Sequence, residues 1–182
     1  MKVFAVLALL ISTHAYPTFT QDKPENDFDY LLGDWAFTAS QPEYPKFEGR
    51  WSAVRLADGQ ILDEYRVLDG DGGTAYVTTT LRNYNRNAKR WELIGADAGD
   101  GLLDFGTANR VGNEMHIEQR FGVAGGKPSV WKIRYYNIQP NSFSWIADRS
   151  TDDGKTWMKG YMKLEAKRIG ASRSLPSLTK SK

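Results

Sequence analysis

Between residues 33 and 168, large apolar side chains recur at every second position in short runs. Trp35 and Phe37 share one face of an extended segment, as do Phe47, Trp51 and Ala53. Trp91 and Leu93 form a further set, followed by Met115, Ile117 and Phe121. Trp131, Ile133 and Tyr135 come next, then Phe143, Trp145 and Ala147. The intervening positions are mostly Lys, Arg, Glu, Asp, Ser and Thr. A period of two marks strands with one face buried and the other in water. Clusters of Gly, Asn, Asp or Pro interrupt the runs at 41–45, 58–59, 69–73, 85–88, 98–101, 112–113, 124–128, 139–141 and 151–155. These nine turns separate ten candidate strands. Connections this short join antiparallel neighbours, because a parallel crossover needs a dozen or more residues.

One long sheet with a single apolar face must cover that face and protect its edges, and closing into a barrel does both. The pattern therefore predicts an all-β fold, a single antiparallel up-and-down barrel of eight to ten strands. The one helix candidate is 25–32, where Phe28, Leu31 and Leu32 fall at i, i+3 and i+4. Asp27 is placed to cap it and Gly33 to stop it. A short N-terminal helix of this kind would plug one end of the barrel. No repeat of fixed period and no linker to a second domain occurs, so 25–168 reads as one barrel domain.

The ends read differently. Residues 1–15 resemble a secretory signal, with Lys2 as the positive region, 3–11 as the apolar core and Thr13-His14-Ala15 as the cleavage site. Export to a secreted or periplasmic location is the expectation, followed by a polar leader at 16–24. Processing would leave 23 basic and 22 acidic residues and a single histidine, His116. Residues 169–182 carry Gly, four Ser, Pro, Arg and two Lys without strand or helix period, and read as a disordered basic tail.

Composition narrows the function classes. A net charge of +2 argues against nucleic acid as a partner. The absence of cysteine excludes disulfides, thiol catalysis and Cys-ligated metal. No apolar run approaches the ~18 residues of a membrane span, and no Asn-x-Ser/Thr sequon occurs.

Gly33-Asp34-Trp35, following a short helical turn, resembles the first motif of lipocalins. In that family the Trp closes the barrel base and packs against a basic residue from late in the barrel, a role that falls here to Lys167 or Arg168. The chain departs from true lipocalins in its ten strand candidates, in lacking cysteine, and in having no C-terminal helix or Thr-Asp-Tyr motif. A wider resemblance covers 28–168. Its motifs are Phe-Asp-Tyr-Leu-Leu-Gly-Asp-Trp at 28–35, Glu-Gly-Arg-Trp at 48–51 and Asp-Gly-Gln-Ile-Leu-Asp-Glu-Tyr-Arg at 58–66. Thr-Thr-Leu-Arg-Asn-Tyr-Asn at 79–85, Trp91 and the 148–157 segment complete it. This order is similar to that of secreted, largely bacterial proteins of unknown function with a calycin-like barrel, and it implies a fold without an activity.

Several motifs have bland readings that outweigh their chemical ones. The segment 150–157, Ser-Thr-Asp-Asp-Gly-Lys-Thr-Trp, matches the Asp-box of sialidase propellers, but a single copy in a short chain reads as a structured hairpin. Asp148, Ser150 and Asp152 have calcium-loop spacing, yet Asp153 and Lys159 stand where Gly and Glu belong. His116 is the one haem-ligand candidate, but it shares a face with Glu114, Glu118 and Arg120 and should point to water. Arg134-x-Tyr136 resembles the carboxylate grip of fatty-acid-binding barrels, with the same parity against it. No cofactor is expected. No nucleophile elbow, P-loop or dinucleotide fingerprint is present.

The inner face is the expected site. Trp51, Trp91, Trp131 and Trp145 are its aromatic walls. Glu64 and Arg66 share a strand face with Leu62 and Leu68, and their inward ion pair, with Arg82 and Arg149 behind, supplies the polar groups. Three function classes follow. The first is a small apolar or amphipathic ligand held inside the barrel. The second is a filled barrel acting as a non-enzymatic interaction module. The third is an enzyme using Glu64 and Arg66 or His116.

Overall fold

The computed structural model describes residues 23–97, 101–123, 126 and 128–173, with the backbone alone at 102 and 103. The expected signal segment, all but the end of the polar leader, and 174–182 of the expected tail lie outside the described residues. Ten strands follow in chain order: β1 (Gly33–Gln41), β2 (Tyr44–Arg55), β3 (Ile61–Leu68), β4 (Thr74–Asn85) and β5 (Arg90–Asp97), then β6 (Gly101–Val111), β7 (Glu114–Phe121), β8 (Ser129–Gln139), β9 (Ser142–Ser150) and β10 (Met158–Gly170). Each pairs antiparallel with its sequence neighbours, and β1 closes onto β10. Closure leaves no edge strand to protect. Each of the nine expected turn clusters coincides with a junction between consecutive strands, several of them overlapping a strand end by one or two residues.

The alternation of the sequence becomes the inside and outside of the barrel. Trp35, Phe37, Trp51, Leu93, Met115, Ile133, Tyr135 and Phe143 are buried. Gly49 lies where two aromatic rings must meet across β2. A Cβ there would sit 2.1 Å from the Phe37 ring. Without it, Phe37 of β1 stacks on Tyr65 of β3 with centroids 4.8 Å apart and planes 11° from parallel.

The expected helix is two 3₁₀ turns, Pro24–Asn26 and Asp29–Leu31, rather than one α-helix. The reason lies in what the segment must bury. Phe28, Tyr30, Leu31 and Leu32 are all inside, and an α-helix would splay residues 28 and 30 about 200° apart. Neither turn is capped by a side chain. Asp27 instead faces Arg110 at 3.9 Å, and Gly33 opens β1.

This segment plugs one end of the barrel. Phe28 meets Trp91 edge-on at 5.1 Å, and Tyr30 meets Tyr135 and Phe143, each at 5.8 Å. Trp35 Nε1 donates to the Leu31 carbonyl at 2.8 Å, and Trp91 Nε1 donates to the Pro24 carbonyl at 3.1 Å. Arginines from the surrounding rim hold the plug from outside: Arg55 binds Asp29, Arg86 binds Glu25, and Arg110 faces Asp27. Arg168 of β10 donates to the carbonyls of Tyr30 and Leu32, while its guanidinium lies 4.1 Å from the Trp35 ring centre. That is the Trp–basic contact implied by the lipocalin resemblance, made by Arg168 while Lys167 points to solvent. The strand continues to Gly170, two residues past the expected domain boundary. Ser172 and Arg173 then bond to Leu32 and Asp34, so 169–173 are part of the folded unit.

Candidate functional site

A cavity of about 750 Å³ occupies the half of the barrel away from the plug. Its walls include Phe47, Trp51, Tyr65, Trp131, Ile133 and Trp145, contributed by strands β2, β3, β8 and β9. Gln41, Tyr44, Leu68, Tyr76, Phe121 and Arg149 stand at the strand ends around the mouth. The floor is polar. Arg82 Nε donates to Asp63 Oδ2 at 2.5 Å and Nη2 donates to Oδ1 at 3.3 Å. Trp51 Nε1 donates to Asp63 Oδ1 at 2.8 Å. The side chains of Arg82 and Asp63 are 3% and 1% exposed, so this is a fully buried pair. The Arg82 guanidinium rests 4.7 Å from the centre of the Phe28 ring, which makes the floor of the cavity the ceiling of the plug.

Burial opposes the charge on Arg82, but the adjacent Asp63 carboxylate and its hydrogen bonds prevail and hold the guanidinium pKa above its ordinary range. A second buried carboxylate, Asp104, faces the cavity without such a partner. Burial pushes its pKa up to about 6, against the opposing influence of the Gln119 side chain and the Arg82 charge. The charges of Asp63 and Asp97 push it up further. Burial likewise raises the phenols of Tyr65 and Tyr135, the latter to about 12. Among the described residues, Arg82 Nη1, Asp104 Oδ1, the Tyr65 hydroxyl and Arg149 Nε are buried without a hydrogen-bond partner.

Five of the expected site residues line this cavity: Trp51, Arg82, Trp131, Trp145 and Arg149. Arg149 Nη1 donates to the Tyr161 hydroxyl at 2.8 Å, and that hydroxyl donates to Glu43 at 2.9 Å. Trp91 of β5 is buried instead against Phe28 and packs on the plug.

Glu64 and Arg66 are a correction. They do pair, with Arg66 Nη2 2.6 Å from Glu64 Oε1, but both side chains are 42% exposed on the outer surface. The inward residues of β3 are Ile61, Asp63, Tyr65 and Val67. Leu62, which set the expected face, is on the outside, in a cross-strand row with Leu81, Ile94 and Phe105. Sequence reasoning therefore missed Asp63, and with it Asp104 and Gln119. The available signal was Asp63 in frame with Ile61, Tyr65 and Val67, an aspartate on an otherwise apolar face.

His116 points outward, bonded to Glu114 at 2.8 Å, with Arg134 3.7 Å from the same carboxylate. The 150–157 segment is a self-contained turn. The Ser150 hydroxyl donates to Asp152, the backbone and hydroxyl of Thr156 both donate to Asp152, and Trp157 donates to Gly154. The Thr156 bonds lead in lowering the Asp152 pKa to about 2. Among the described residues no group of three or more His, Asp or Glu side chains is placed to hold a metal ion.

No protein-family model and no curated protein sequence matches the chain. Among solved structures, Rv2717c from M. tuberculosis superposes with a TM-score of 0.58 at 15% identity, over 81% of this chain and 98% of that one. This likeness is one of fold. A redesigned β-barrel, b11L5F_LGL, gives a TM-score of 0.41 at 12% identity over 79% and 96% of the two chains. EF1p2_mFAP2b bound to DFHBI gives 0.38 at 14% identity over 81% and 100%.

The two arginine pairs should separate sharply on mutation. Arg82→Ala strands a buried carboxylate and should cost about 3–5 kcal/mol in urea unfolding, whereas Arg66→Ala, on the exposed pair, should cost no more than ~1 kcal/mol. Similar losses for both would contradict this placement.

Asp104 should also leave a pH signature. Its folded pKa near 6 lies above the ordinary 3.8, so the folded chain holds a proton that the unfolded chain releases. This contribution is fully present below the unfolded value and is lost as pH rises through the folded one. Asp104→Asn should therefore gain stability over the parent as pH rises from 4 to 7, read as a growing difference in urea midpoints. A constant difference across that range would exclude the shift.

Proposed function

We propose that the chain binds a small apolar or amphipathic molecule inside the barrel. The observation that carries this reading is the cavity of about 750 Å³, walled by aromatic and aliphatic side chains and bearing a few buried polar groups at its floor. Pockets of roughly 300–1,000 Å³ with that division of labour suit small molecules, because the walls provide affinity and the polar groups provide orientation. The cavity weighs against a barrel filled by its own side chains. The outward positions of Glu64, Arg66 and His116 weigh against the enzyme reading that invoked them. Membership among calycin-like barrels belongs to the same proposal, supported by the contact between Arg168 and Trp35. Export to a secreted or periplasmic location belongs to it too, supported by Lys2, the apolar stretch at 3–11 and the small residues at 13 and 15.

The reading is tested by titrating the chain with an uncharged environment-sensitive dye such as Nile red. Trp131→Ala, which removes an aromatic wall, should weaken binding about tenfold, the effect of losing ~1.4 kcal/mol of contact. Identical binding by parent and variant, or no binding by either, would move the function to the outer surface.

A further inference from the structure

Building on the barrel as a ligand cavity, we propose that its floor selects ligands whose polar end is an uncharged amide, accepting a hydrogen bond from Arg82 and donating one to Asp104, on an aromatic or otherwise apolar body.

The arrangement of charges on the floor leads to this class. Arg82 is already neutralised by Asp63, which takes two of its N–H groups. Asp104 adds a second carboxylate on the same row of the sheet, since Asp63 pairs with Thr80, Thr80 with Gly95, and Gly95 with Asp104. A carboxylate ligand reaching the floor would meet one cation and two anions, and its desolvation would go uncompensated. Arg149 stands apart at the mouth, tied to Tyr161 and, through that hydroxyl, to Glu43.

The two floor atoms without partners among the described residues are complementary in kind. Arg82 Nη1 is a donor and Asp104 Oδ1 is an acceptor, on side chains each 3% exposed. A buried polar atom left without a partner is costly, so each favours a ligand atom of the opposite kind. An amide presents both, a carbonyl oxygen for the guanidinium and an N–H for the carboxylate. Gly95 makes room for Asp104 to take this position. A Cβ at Gly95 would lie 1.9 Å from Asp104 Oδ1, so any larger residue would displace the carboxylate.

The test uses one aromatic body with three substituents: naphthalene-2-carboxamide, naphthalene-2-carboxylate and 2-methylnaphthalene. Binding to the purified chain is followed by tryptophan fluorescence at pH 8, above the value near 6 that burial gives Asp104. The carboxamide should bind at least about tenfold more tightly than the carboxylate, as expected for one charge-assisted hydrogen bond gained against one repulsion. Asp104→Asn should narrow that ratio to below about threefold. The ranking on the unmodified chain decides the matter even if the variant folds poorly. Equal or tighter binding of the carboxylate would overturn the proposal, as would an unchanged ratio in a folded Asp104→Asn variant. If methylnaphthalene binds without any preference for the amide, the amide selectivity fails and the cavity reading stands. If none of the three binds, both fall.

Discussion

The buried ion pair between Arg82 and Asp63 joins the two halves of this molecule. On one side the guanidinium lies over Phe28 and so over the plug; on the other it is the floor of the cavity. A charge in such a place is tolerable only when its partner is fixed, and here the barrel fixes it. Trp51 on β2 bonds Asp63 on β3, which bonds Arg82 on β4, so three consecutive strands hold one network. Removing either charge would leave the other in an apolar interior, which is why the pair constrains both the plug below it and the shape of the pocket above.

The asymmetry of the barrel follows from where its polar groups are spent. At the plugged end, the carboxylates of Glu25, Asp27 and Asp29 are matched by arginines from the rim, and Arg168 satisfies the backbone carbonyls that two short 3₁₀ turns leave free. A plug held by charge and backbone bonds around its edge can present its apolar residues inward on several sides at once. The other end has no such segment among the described residues, and its rim is made of strand ends carrying Tyr44, Tyr76 and Phe121. A ten-stranded barrel is wider than one that side chains alone fill, so space remains between floor and mouth. Asp104 occupies that space only because Gly95 opposite it has no side chain.

The architecture was legible in the amino-acid sequence by itself. Strand alternation and turn residues are local properties, expressed within a few positions along the chain, and they located ten strands and the turns between them. Closure followed from the apolar face and the need to remove edges. The same local logic placed His116 outside and five of the six tryptophans in the core or on the cavity wall, because their strands carry an unambiguous apolar face.

The facing of strand β3 was misread, since each of its faces carries both apolar and charged residues. Leu62 lies outside because Leu81, Ile94 and Phe105 flank it there in a cross-strand row, and Asp63 lies inside because Arg82 and Trp51 await it on neighbouring strands. The registers that bring these residues together connect positions 12 to 19 apart. The short helical plug was legible, and only its 3₁₀ form was not, for a related reason. Its 25–32 segment has helical spacing, but the barrel end demands that Tyr30 be buried together with Phe28 and Leu31, which a single helical face does not provide. Local pattern determined which segments are strands and, where one face is clearly apolar, which way they face. Tertiary pairing decided the rest, because the free energy of a buried charge depends on partners that the chain brings near only after it has closed.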